Sequence, residues 1–324
     1  MHITRRQALA TTLLLTAAPR LARAQAWPSR SVRLIVPYPP GGASDITARL
    51  LAQELGSALG QSFVVENRGG AASITGTQAI ATAAPDGTTF GVVDTAFLVN
   101  PALLGTRLPY DTLRDLTPVS LLVRAPLALV VPASAPWRTV AELVAEAKAK
   151  PDSIAFGSAG NGTAVHMAGE QFRQAAGITY VHVPYRGGGP MITDLLAGRV
   201  HMAFGTVPAI AGHVRDGRLR ALAITGATRA PLLPDVPSMA QAGFPQVDAA
   251  LINALIGPAG LPDAIVDRLA KAAADIVGAA AMRTRLAEMG FDPVGGTPEA
   301  LRTVIATDIP RWEQIVQKGG IRPD

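Results

Sequence analysis

The chain has no cysteine among its 324 residues. No disulfide can brace it, no thiolate can serve as a nucleophile or metal ligand, and no lipid can be attached through a cysteine after a cleaved leader. Charged residues are scarce as well, at 16%, while apolar residues reach 48%. That balance excludes a disordered chain and suits packed α/β structure. No apolar run approaches 18 residues without a break, so no membrane-spanning helix is expected in the body of the protein. The sequence G-x-x-x-x-G-K-[ST] does not occur, which excludes a P-loop. His166, His182, His201 and His213 have no close metal-ligand spacing. No nucleophile–base pair or catalytic carboxylate pair emerges, so neither an enzyme nor a cofactor is indicated.

The length allows two domains. The net charge of +5 is concentrated at the start, where Arg5, Arg6, Arg20 and Arg23 stand without an acidic residue before position 27. Without that segment the balance is about +1, and no basic stripe remains to engage nucleic acid. Residues 1–26 read as an export signal. Arg5-Arg6 form its charged start, Ala8 to Ala18 a short apolar core, and Ala22-Arg23-Ala24 or Ala24-Gln25-Ala26 its cleavage site. Thr4-Arg5-Arg6-Gln7-Ala8-Leu9 also resembles a twin-arginine signal, the other reading being an ordinary secretory signal with two arginines. The mature chain is expected in the periplasm, without a membrane anchor.

The densest signal is Pro37-Tyr38-Pro39-Pro40-Gly41-Gly42-Ala43-Ser44-Asp45, between a strand-like run, Val32 to Val36, and a helix-like run, Ile46 to Leu59. A strand, a Gly-rich turn and a helix start leave backbone N–H groups at a helix N-terminus, where an anion is favoured. The arrangement recurs as strand Ser153 to Phe156, loop Gly157 to Thr163, and helix Ala164 to Ala176. Two such loops facing one cleft would hold a small acid largely through backbone groups, at the strand ends where open α/β sheets bind ligands. The second loop runs G-x-x-G-x-G, which is not a dinucleotide fingerprint, and Phe156 stands two residues before Ser158 where a nucleophile elbow needs glycine.

Single residues leave two readings open. Asp45 can cap the helix or accept a hydrogen bond from a ligand. His166 can touch a ligand or satisfy nearby backbone. Arg186, beside Tyr185 in the loop Pro184 to Gly189, can pair with a ligand carboxylate or lie solvated at a rim. Trp137 and Trp312 read as surface positions.

Elsewhere, strands Phe63 to Glu66 and Thr88 to Val93 with a helix Ile74 to Ala83 point to a mostly parallel sheet with helices on both faces. Leu127 to Val131 reads as a strand crossing into a second domain, and Leu219 to Thr225 as the strand crossing back. A last helix begins at Pro298 after the N-cap Thr297, with an interruption near Pro310.

Ordered motifs run through the whole mature chain: Trp27-Pro28, Ile35 to Gly42 with Asp45, Glu66-Asn67-Arg68, Ala84-Pro85-Asp86-Gly87-Thr88, Leu108-Pro109-Tyr110-Asp111, Gly157 to Thr163 with His166, Val183 to Pro190, Leu233 to Pro237, Pro258-Ala259-Gly260 and Gly295 to Glu299. In these the chain resembles the periplasmic substrate-binding proteins of tripartite tricarboxylate transporters, the Bug or TctC-type receptors. The resemblance implies a type II periplasmic-binding fold, with two α/β domains and a ligand cleft between them. Domain 1 would comprise 27–127 and 225–324, and domain 2 would comprise 128–224. It further implies capture of a small carboxylate for integral-membrane transporter subunits. The alternative readings, from other classes, are a protein that presents its ligand to a sensor kinase and a periplasmic hydrolase using Ser158. Carried over by motif, the ligand positions are Tyr38, Pro39, Gly41, Gly42, Ser44 and Asp45, then Ser158, Ala159, Gly160, Gly162, Thr163 and His166. Tyr185 and Arg186 join them from the third loop. The chain departs from the family pattern at Ala72-Ser73-Ile74, where glycines are expected, at Gly205-Thr206, where an acid is frequent, and around Ile252-Asn253, where a tryptophan is common. These positions, Ser73 and Thr206 among them, fall where the distal part of a ligand would be read.

Overall fold

The computed structural model describes residues 27–322; the export segment lies outside the described residues. The first unit alternates β1 (Val32–Val36), α1 (Ala43–Leu59), β2 (Phe63–Asn67), α2 (Ile74–Ala81) and β3 (Thr89–Asp94). β1 pairs in parallel with both β2 and β3. Leu34, Ile35 and Val36 are all buried, as expected of a central strand covered on both faces. α1 ends at Gly60, whose φ of 72° lets its N–H reach back to the Gly56 carbonyl.

Then the pattern changes. α3 (Ala96–Leu104) was not foreseen, because Ala-Phe-Leu-Val-Asn-Pro-Ala-Leu-Leu is apolar on nearly every side and Pro101 interrupts it. β4 (Leu116–Pro132) spans 17 residues, of which sequence patterning picks out only five near its end, Leu127 to Val131. Pro118, Arg124 and Pro126 break its apolar run; in the structure Pro118 falls at a register shift against β9 and Pro126 at the end of that pairing.

α4 (Val140–Ala149) follows, capped by Thr139, whose hydroxyl accepts from the Glu142 N–H. The second unit comprises β5 (Ala155–Ser158), α5 (Ala164–Ala176), β6 (Val181–Pro184), α6 (Gly188–Leu196), β7 (Met202–Thr206), α7 (Val207–Arg215) and β8 (Leu219–Ile224). The chain then returns through β9 (Ala250–Pro258), α8 (Asp263–Gly278), α9 (Ala280–Glu288), β10 (Asp292–Pro293) and α10 (Pro298–Gly319).

The strand order is β2-β1-β3-β9-β4-β7-β5-β6, with β8 and β10 also paired to β4. The expectation of a mostly parallel sheet is corrected to a mixed one. Parallel pairing holds at the outer ends, β1 with β2 and β3, and β5 with β6 and β7. At the centre β9 runs antiparallel to β3 and β4, and β4 antiparallel to β7 and β8. The reason is that β4 is one long strand: its first part pairs β9, and its last residues pair β7 and β8. At the crossing, Thr225 N–H donates to the Leu127 carbonyl at 2.8 Å and Leu127 N–H donates to Thr225 Oγ1 at 3.0 Å.

Two further corrections concern α10. It runs through Pro310 without a break. The missing N–H forfeits one ladder bond, while Ile305, Ile309, Trp312 and Val316 bury a continuous face. Trp312 is therefore a core residue and not a surface one, because it stands on that face; Trp137 is half-buried.

Candidate functional site

Loops from both halves of the sheet meet around a cleft of about 900 Å³. Pro37 to Pro39 follow β1 and Gly69 to Ile74 follow β2. Ala159 to Asn161 follow β5, and Pro184 closes β6 with Tyr185 to Gly187 after it. α3 adds Asn100, Leu103 and Leu104. All four loops leave the carboxyl ends of parallel strands, the edge where α/β sheets place ligands. Of the residues expected at the site, the wall contains Tyr38, Pro39, Ser73, Ala159, Gly160, Tyr185 and Arg186. The other expected residues lie outside that wall, and their bonds explain why.

Tyr38 anchors the first loop. Its hydroxyl donates to Asp94 Oδ1 at 2.8 Å, and its carbonyl accepts from Asn67 Nδ2 at 3.0 Å. Asp94 ends β3 and is buried, with a second bond from the Ala96 N–H at 3.0 Å. Burial raises its carboxyl pKa to about 6, against the lowering effect of these bonds. Burial, then the neighbouring Asp94 charge, pushes the Tyr38 hydroxyl well above its ordinary value.

Asp45 is turned toward its own loop. It accepts from the Gly41 N–H, Arg49 Nε and Asn67 Nδ2, each at 2.9 Å. Burial opposes its ionisation, but hydrogen bonds from Arg49, Gly41 and Asn67 outweigh it and hold the carboxyl below its ordinary pKa. Ser44 is buried and accepts from Asn253 Nδ2 at 2.8 Å. Gly41, with φ of 90°, and Gly42 are exposed at the turn leading into α1.

The second loop is braced from beneath. Ser158 is fully buried; its Oγ accepts from the Gly160 N–H at 3.2 Å and lies 2.6 Å from His182 Nε2. A serine–histidine contact is present, but it is closed to a substrate. The Gly162 N–H donates to His166 Nδ1 at 3.1 Å. Thr163 Oγ1 accepts from the His166 N–H at 3.3 Å and donates to the Gly160 carbonyl at 2.7 Å. The His166 ring stacks on His182 with centroids 4.4 Å apart. Burial, then the His182 and Arg173 charges, lower its pKa to about 3, so it serves as a neutral acceptor for the loop. The backbone-satisfying role of His166 is thus the one visible. Gly160 and Gly162 have φ of 119° and 78°, conformations that side chains rarely adopt.

In the third loop, Tyr185 donates its hydroxyl to Asp194 at 2.9 Å. Arg186 is exposed at the cleft mouth, and no ion pair engages it among the described residues. Thr206 sits half-buried at the end of β7, at the N-cap of α7, outside the wall.

Sequence reasoning missed Asn100, Leu103 and Leu104, because α3 itself was missed, and it passed over Asn161 within the loop Gly157 to Thr163. It did mark the turn after β2. There Ala71, Ala72 and Ser73 all have positive φ, of 45°, 48° and 73°, a strained run for residues with a Cβ. Asn100 pins it, donating from Nδ2 to the Ala72 carbonyl at 3.1 Å and to Ser73 Oγ at 3.4 Å. Among the described residues, no cluster of histidine, aspartate and glutamate is arranged to hold a metal ion, and no helix is long and apolar enough to cross a membrane.

The chain matches known proteins over nearly its whole length. Residues 47–321 fit the family described as "Tripartite tricarboxylate transporter family receptor". Protein BugT of Bordetella pertussis is 36% identical over 99% of this chain and 99% of its own. Among solved structures, Rpa4515 of R. palustris with adipate superposes with a TM-score of 0.88 at 34% identity, covering 92% of this chain and 100% of that one. MatC of Rhodopseudomonas palustris with bound malate gives 0.84 at 29% identity, covering 90% of this chain and 100% of that one. These are solute-binding receptors and not enzymes, and the fold is that of periplasmic binding proteins. The chain belongs to the tripartite tricarboxylate transporter family of receptors.

Proposed function

We propose that this receptor captures a small carboxylate in the cleft, in the periplasm, and delivers it to integral-membrane subunits of a tripartite transporter. The observation that carries the reading is the composition of the wall, which includes the unpaired Arg186 and no carboxylate side chain among the described residues. The relatives solved with adipate and malate support the same ligand chemistry. The N-termini of α1 and α5 each favour a nearby anion by roughly 0.3–1 kcal/mol when exposed. Tyr38, Pro39, Ser73, Ala159 and Gly160 would meet the ligand directly or through bridging water. Gly41, Gly42, Ser44, Asp45, Ser158, Gly162, Thr163 and His166 would shape the two loops around it. Export would follow from the leader within residues 1–26, cleaved after Ala24 or Ala26 so that the mature chain begins at Gln25 or Trp27.

Native mass spectrometry of protein recovered from the periplasm tests this reading. The expected result is a mature N-terminus together with a releasable small acid. Recovery of a sugar or a cation as the stoichiometric ligand would refute it.

A further inference from the structure

The proposed carboxylate site leaves open what else the ligand carries. Away from the Gly-rich loops its wall is mostly aliphatic, and its polar side chains, Ser73 and Asn100, bond to each other and to the Ala72 carbonyl. Ile74 stands at the start of α2, and Leu103 and Leu104 on α3; Leu103 is buried and the other two are half-buried. Ala71 and Ala72 add two methyl groups from the strained turn. Arg186 is the one charged side chain in this wall, and it is a cation. Asp94, which stands behind Tyr38 of the wall, is buried and already accepts from the Tyr38 hydroxyl and the Ala96 N–H. Asp194 is likewise engaged by Tyr185 and Arg199.

A ligand ammonium entering this cleft would exchange water for aliphatic surface and neutral carbonyls, beside a guanidinium of its own sign. Burial of a charge without an opposite partner is unfavourable, and a site lacking the complementary group discriminates against a ligand that needs it. An apolar ligand body, by contrast, gains from contact with Ile74, Leu103 and Leu104.

Resting on the carboxylate reading, we propose that this receptor selects acids free of an amine, with an aliphatic or aromatic body packed against the wall of α3 and the turn after β2. Ala71 is the position at which that choice is made most directly. It is exposed, lines the cleft and has a φ of 45°. Aspartate and asparagine tolerate such a conformation better than alanine does, so the turn can accept either.

Calorimetry with two matched pairs tests the selection: adipate against 2-aminoadipate, and 3-phenylpropanoate against phenylalanine. At least one amine-free acid should bind, about tenfold or more tighter than its amino counterpart. Ala71→Asp should shrink that ratio by about tenfold, because it places an acid beside the ammonium. Ala71→Asn, of similar size and neutral, should leave the ratio unchanged. Amino acids binding as tightly as their partners in the unaltered protein would overturn the selection and leave the carboxylate reading intact. Folded protein that binds none of the four acids at millimolar concentration would remove the selection for these bodies, and a non-acid recovered from the native protein would remove the carboxylate reading with it.

Discussion

The Tyr38 hydroxyl donates a 2.8 Å hydrogen bond to the carboxylate of Asp94, a buried acid directly behind the cleft wall. Because burial raises the folded-state pKa of Asp94 to about 6, the folded protein holds this proton more tightly than the unfolded chain, whose aspartates titrate near 3.9. The stability linked to that proton is full below about pH 4 and is lost as pH rises through about 6, a loss on the order of 2–3 kcal/mol. Asp94→Asn keeps an acceptor for Tyr38 and for the Ala96 N–H while removing the charge. It should melt higher than the unaltered chain at pH 7.5 and show a flatter profile between about pH 4 and 7. Parallel melting profiles for the two proteins would rule out Asp94 as the titrating group.

Asp45 has the opposite sign. Its pKa is lowered in the fold, so its stabilisation is present above the ordinary aspartate range and is lost as pH falls through the folded value. Asp45→Ala would strand the Gly41 N–H and the Asn67 amide, which also supports the Tyr38 carbonyl. Hydrogen bonds to a charged group contribute about 1.5–3 kcal/mol, and urea unfolding should report a loss in that range. Ligand affinity should fall as well, through the loosened Tyr38 loop. A variant with unchanged stability would show that the loop holds its shape without this carboxylate.

What the sequence disclosed and what it hid divide along physical lines. The two Gly-rich loops were legible because strand, turn and helix-start chemistry are all local. So were α5, capped at Thr163, and α10, capped at Thr297. β4 was hidden because its prolines are accommodated by register shifts that only its partner strand β9 supplies. α3 was hidden because a helix buried on nearly every side has no amphipathic period. With α3 went Asn100 and Leu103. The roles of Asp45 and His166 needed three dimensions, since a side chain that serves its own loop and one that serves a ligand look alike in sequence.

Gly162 offers a sharper test of the second loop than Gly160 does. Its φ is 78°, and a Cβ placed there would lie 2.8 Å from Leu103 Cδ1 and 3.2 Å from Asn100 Oδ1, across the cleft on α3. Gly162→Ala would meet both the left-handed backbone penalty, roughly 1–2 kcal/mol, and that steric contact. Stability should fall by about this amount in denaturant titration, and the affinity for the natively bound acid should fall further, because the loop and α3 could no longer approach so closely. Equal affinity with reduced stability would separate loop strain from ligand binding and leave the α3 contact without a functional role.

The proposed domains, 27–127 with 225–324 and 128–224, would be joined where β4 passes from β9 to β7 and β8, near Leu127 to Val131 and Leu219 to Thr225. The paired bonds between Leu127 and Thr225 tie these crossings together. A second tie lies beside the return, where Gln171 of α5 accepts from the Asp248 and Ala249 N–H groups at 3.1 and 2.9 Å. Bending at the crossings would alter the separation of the wall formed by Ala159 to Asn161 from the wall formed by Tyr38 and α3. Ligand bound between those walls therefore favours the closed population, in proportion to its differential affinity for the two states. Reversal from 1:99 to 99:1 takes about 5.5 kcal/mol. Small-angle scattering should give a smaller radius of gyration with the natively recovered acid than without it. Thr225→Val removes the acceptor for the Leu127 N–H and should widen the difference between the two states by loosening the unliganded one. Identical scattering curves at saturating ligand would sink the hinge and require entry by local movement of the turn after β2, a movement that the strain at Ala71, Ala72 and Ser73 would assist.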